Sequence, residues 1–108
     1  EQAVSLTTVV PPTALQIEVE MVANVGTNSS GSAHSDVFLM VAPGTALLQS
    51  SATPAAANQF DQDSRSGIIP NITAQTVTYR WIDVIGTANI ANRSLWLRVL
   101  GYQVPNGG

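Results

Sequence analysis

The 108 residues are enough for one core that buries roughly two thirds of the surface an unfolded chain of this size exposes, yet only 10% of them are charged and 44% are hydrophobic. There is no lysine and no cysteine, the cations are Arg65, Arg80, Arg93 and Arg98, and the net charge is −3. These numbers exclude a basic footprint for a phosphate backbone, disulfide staples and thiolate metal sites, and no apolar run nears the roughly 20 residues of a membrane helix. Neither nucleic acid nor membrane is therefore an expected partner. A surface clothed largely in Ser, Thr, Asn, Gln and Ala suits a virion or extracellular domain. The start at Glu1, without Met or a leader-like segment, leads us to expect an excised domain or a processed product.

In chain order, Val4 to Val10 is β-branched and roughly alternating, and Pro11-Pro12 stops it, which predicts an edge strand. From Leu15 the period is two, with Leu15, Ile17, Val19, Met21, Ala23 and Val25 opposed to Gln16, Glu18, Glu20 and Val22. The Ser- and Gly-rich stretch 26–35 reads as a mobile surface loop and holds His34. Residues 36–42 are apolar on both faces and read as a central strand ended by Pro43-Gly44, with 45–50 as a short partner strand and 51–58 as loop. The hydrophilic run 58–67 reads as a long functional loop, followed by a brief return to the core at Ile68-Ile69.

Gln75 to Ile85 alternates Val77, Tyr79, Trp81, Asp83 and Ile85 against Thr76, Thr78, Arg80, Ile82 and Val84. After a turn at 86–93, Ser94 to Val104 sets Leu95, Leu97 and Val99 against Trp96, Leu100, Tyr102 and Val104. Pro105 to Gly108 reads as a terminus or the start of a linker. Strands at this spacing, with no amphipathic helix between them, predict one all-β domain over 1–108. The expected architecture is an antiparallel two-sheet, jelly-roll-like sandwich of about seven or eight strands.

Groups able to carry chemistry are few. His34 beside Asp36 invites a Ser-His-Asp reading, but near neighbours in one loop do not supply locked triad geometry, and no catalytic residue is assigned. Asp61 and Asp63 are spaced for a Ca²⁺ ligand pair, but Arg65 adds a competing positive charge, so no metal or cofactor is assigned. Among the aromatic residues, Tyr79, Trp81, Trp96 and Tyr102 could each stack on sugar rings. Trp81 reads rather as core, and Trp96 reads otherwise as second-layer core or subunit contact. Asn28, Asn71 and Asn92 each begin an Asn-x-Ser/Thr acceptor pattern. Strands apolar on both faces in a charge-poor chain predict a symmetric homo-oligomer.

Two stretches carry a resemblance: Val9-Val10-Pro11-Pro12-Thr13-Ala14-Leu15-Gln16-Ile17-Glu18-Val19 and Ser94-Leu95-Trp96-Leu97-Arg98-Val99-Leu100-Gly101-Tyr102. They are similar to the opening and final strands of β-sandwich domains from phage tail fibres and related virion proteins, and cover about a fifth of the chain. The resemblance implies a trimeric sandwich head with binding sites in its distal loops. The expected function is non-enzymatic: host-surface attachment or particle assembly, with copies of itself, other virion proteins or a host-surface glycan as partners. Asp61, Asp63, Arg65, Arg93, Trp96 and Tyr102 are the candidate ligand-binding residues. The alternatives are a monomeric carbohydrate-binding module of a secreted bacterial protein, for which Trp96 and Tyr102 would lie exposed and coplanar, and a purely structural capsid-decoration protein.

Overall fold

A computed structural model describes residues 2–42, 45–71 and 75–105. The period-two segments form seven strands: β1 (Gln2–Ser5), β2 (Gln16–Thr27), β3 (His34–Ala42), β4 (Thr45–Ala52), β5 (Phe60–Pro70), β6 (Thr76–Ile85) and β7 (Ile90–Gln103). All pair antiparallel, in a four-stranded sheet of order β1-β6-β3-β4 and a three-stranded sheet of order β5-β2-β7. Among these strands β3 and β4 form the one hairpin, and every other connection passes from sheet to sheet. The sandwich is drawn out along its strands, 55 × 23 × 18 Å.

The alternation read in the sequence sets the inner faces. Ile17, Val19, Met21 and Ala23 of β2 meet Val37, Leu39 and Val41 of β3 and Val77 of β6, all buried, with Ile69, Leu95, Leu97 and Val99 closing the cluster from the flanking strands. Each large side chain so buried contributes about 1.5–3 kcal/mol relative to exposure. Trp81 and Tyr79 pack against this cluster but are only partly buried.

One end of the sandwich is stoppered by the segment between β1 and β2, whose Leu6, Val10 and Ala14 are buried. Gln75 Nε2 donates to Val10 O (2.6 Å) and Asn71 Nδ2 to Ala14 O (2.9 Å), holding that stopper in place. At the other end three loops are laced together. Asn28 Nδ2 donates to Ala88 O, Asn89 Nδ2 to Ser32 O and Thr27 Oγ1 to Ala56 O, at 2.7–2.9 Å.

The structure corrects several boundaries. The first strand ends at Ser5 rather than Val10, because the chain turns at Leu6, whose carbonyl accepts from both Val9 and Val10 N–H. The stretch 58–67 is not a loop: from Phe60 it is strand β5, with eleven residues paired to β2. The 26–35 segment shrinks to 28–33, since β2 runs to Thr27 and β3 starts at His34, and the 86–93 turn shrinks to Gly86 and the 3₁₀ turn Thr87–Asn89. A bulge at Leu100 in β7 shifts the register, so Tyr102 lies opposite inward-facing Ile17 while Trp96 lies opposite outward-facing Val22. The two aromatics therefore do not share a face. The turn expected at Pro43-Gly44 lies outside the described residues, as do Ile72–Ala74 and Asn106–Gly108.

Candidate functional site

Apart from Tyr102, which the bulge sets opposite Ile17, the sequence-predicted site residues separate into two polar seams along the long edges of the sandwich and one open face. On the first edge, β4 of one sheet lies against β5 of the other. The register turns Asp61, Asp63 and Arg65 inward, opposite Val25, Ala23 and Met21. Asp63 Oδ2 accepts from Ser50 Oγ (2.6 Å) and Ser51 N–H (3.0 Å), and Asp61 Oδ2 accepts from Thr53 N–H (2.8 Å). The Ser50 hydroxyl, helped by the Ser51 amide and Arg65, holds the Asp63 carboxyl below the usual range, against a smaller opposing effect of burial. These carboxylates stitch the two sheets together. Among the described residues no group of three metal-ligating side chains forms.

On the second edge Arg93 of β7 reaches across to Asp83 of β6, and its guanidinium carbon sits 5.3 Å from the centre of the Trp81 ring. Asp83 also accepts from the buried Ser35 Oγ (2.7 Å). Arg93 is thus part of a sheet-to-sheet clasp, with both ion-pair and cation–π character.

His34 lies in β3 rather than a loop, and its Nε2 is 2.8 Å from Asp36 Oδ1, which also accepts from Ser51 Oγ (2.6 Å). The carboxylate stands between imidazole and hydroxyl, whereas a triad needs the imidazole in the middle to take the hydroxyl proton. This cluster does not activate Ser51 as a nucleophile. Asn28 and Asn71, two of the three acceptor-pattern asparagines, spend their side-chain amides on the loop and stopper bonds above.

The open face is the outer side of the three-stranded sheet, where the ladder sets out rows across β5, β2 and β7: Gln62–Asn24–Ser94, Ser64–Val22–Trp96 and Ser66–Glu20–Arg98. Trp96 is 66% exposed. Arg98 Nη2 donates to Glu20 Oε1 at 2.6 Å beside it. Glu20, Val22, Gln62, Trp96, Leu97 and Arg98 line a shallow groove of about 620 Å³, within the range of small-molecule sites. Asn24, only 7% exposed, occupies the next row, and its Nδ2 is buried without a hydrogen-bond partner.

Of the six candidate residues, only Trp96 belongs to this groove. Glu20 and Arg98 come together only through the β2–β7 register, and Gln62 joins them only because 60–70 is a strand, so none of the three is legible as a site residue in the sequence. The one available signal was the alternation of Asp61, Asp63 and Arg65 with Gln62, Ser64 and Ser66, which carries a strand's period in hydrophilic residues. No protein-family model matches the chain, and no curated protein matches it significantly, so its own geometry carries the functional reading.

Proposed function

We propose that this sandwich is a non-enzymatic attachment or assembly domain of a virion surface protein, acting through the outer faces of its sheets. The observation that carries the reading is the apolar surface left on both. Ile82 and Val84 are 40% and 49% exposed on the four-stranded sheet, and Ile68 and Trp96 are exposed on the three-stranded one. Large apolar side chains held open to water on the outer faces of a charge-poor sandwich support a role in interaction. The four-stranded face, where Arg80 is balanced by Asp36, suits contact between copies of the chain, and leaves the groove of the other face free for a host or particle component.

Light scattering on the purified 11.3 kDa chain tests this reading. A stable trimer supports the fibre or particle setting. A monomer at high concentration removes it and favours the second reading, a carbohydrate-binding module appended to a secreted protein, for which the exposed indole of Trp96 is the specific support.

A further inference from the structure

The groove on the β5-β2-β7 face brings an open aromatic ring, an amide and an ion pair together. An indole two-thirds open to water lies on β7, a primary amide, Gln62, lies on β5, and the Glu20–Arg98 pair supplies charged acceptors and donors next to the indole. Val22 on the central strand forms the floor between them, and Ser64 and Ser66 add hydroxyls along the same face. One row away, directly opposite Gln62, the unpaired Nδ2 of Asn24 is an unmet donor of the sort that native proteins rarely leave without a purpose.

We propose that this groove binds a saccharide, a pyranose ring laying its C–H face on the Trp96 indole while its hydroxyls exchange hydrogen bonds with Gln62, Glu20 and Arg98. For its setting the proposal rests on the attachment reading above. The charge on the face decides the occupant. The outward side of β2 and β7 carries Glu18, Glu20 and Arg98, so two copies meeting there bring four carboxylates against two guanidinium groups and desolvate all of them. A neutral ligand rich in hydroxyls avoids that imbalance, because its hydroxyls replace the water around the ion pair one for one. An aromatic plane beside an amide and a charged pair meets a sugar ring on both its apolar and its polar sides.

The test is a printed array of neutral hexose, N-acetylhexosamine and sialylated oligosaccharides, followed by calorimetric titration with the oligosaccharide bound best. Trp96→Ala is expected to weaken binding roughly tenfold or more, Gln62→Ala to weaken it several-fold, and Trp96→Phe, which keeps a ring, to retain most of it. Tyr102→Ala, on the far side of the bulge, is expected to bind as the parent does. Because Trp96 is largely exposed, its truncation leaves the core intact, and an unchanged melting temperature confirms this. Silence of the parent on the array, binding indifferent to Trp96→Ala, or an oligomer that Trp96→Ala dissociates overturns the proposal. A trimer that binds no glycan loses the groove and keeps the assembly reading. A monomer whose glycan binding depends on Trp96 keeps the groove and loses the fibre setting.

Discussion

Gly86 shows how closely the laced end is fitted. Its φ is +69°, and a Cβ placed on it would stand 2.3 Å from the carbonyl oxygen of Ser32, a backbone atom that cannot swing away. Gly86→Ala therefore combines a left-handed side chain with a clash, and is expected to cost about 2 kcal/mol or more, read as a lower urea midpoint at unchanged slope. Asp63 makes a different prediction. Its folded-state pKa is depressed, chiefly by the Ser50 hydroxyl, so its contribution is present above the unfolded carboxylate value near 4 and is lost as pH falls through the lower folded value. Melting temperature followed from pH 6 down to pH 2 should fall for the parent and fall less for Asp63→Asn. Parallel curves would show that the Ser50–Asp63 contact contributes nothing to acid sensitivity.

At the scale of elements, β5 and β7 are the edges of the three-stranded sheet, and an edge strand is a template for unwanted pairing. β5 answers with charges turned inward, Asp61 and Asp63, which a docking strand would have to desolvate, and with Pro70 at its end. Replacing both aspartates by valine is expected to drive concentration-dependent association, visible as growing scattering intensity. The Asn pair, which keeps the polarity, is expected to stay dispersed. The same device gives the sequence of β5 the look of a loop. Periodicity arguments look for apolar residues at alternate positions, and here aspartates and an arginine occupy the inward ones, giving period two without hydrophobicity. By contrast β2, β3 and β6 are legible because most of their inward positions are aliphatic or aromatic, with Ser35 and Asp83 the polar exceptions. β7 was legible up to Val99, until the Leu100 bulge moved Tyr102 off the face of Trp96. A bulge of one residue inverts every side chain beyond it, and nothing in the run Val99-Leu100-Gly101 announces it beyond the glycine.

For the whole molecule, the two-sheet sandwich followed from strand spacing and the absence of amphipathic helix, whereas the site did not, because a face assembled from three strands distant in sequence becomes visible only once their registers are known. Of the segments read as loops, 58–67 is largely strand β5, while those at 28–33 and 86–89 are tied to each other by Asn28 and Asn89, and Thr27 ties the end of β2 to Ala56. The outer face of the four-stranded sheet is where copies are proposed to meet. Ile82→Asp together with Val84→Asp should lower the mass measured by light scattering toward that of one chain while leaving the circular dichroism of the fold intact. An unchanged oligomer would place the contact elsewhere.

The short strand β1 carries a mechanical consequence. Its pairing runs from Gln2 opposite Tyr79 to Ser5 opposite Thr76, so it enters from the laced end's direction, while β7 leaves at the stoppered end, where Gln103 pairs with Gln16. Tension applied between the first and last strands thus pulls along the ladders, loading β1 against β6 and β7 against β2 in shear. Hydrogen bonds in such a geometry must give way together rather than unzip one at a time, and the rate of forced opening is set by that concerted barrier. A domain strung along a shaft and tugged at its ends would resist as a unit.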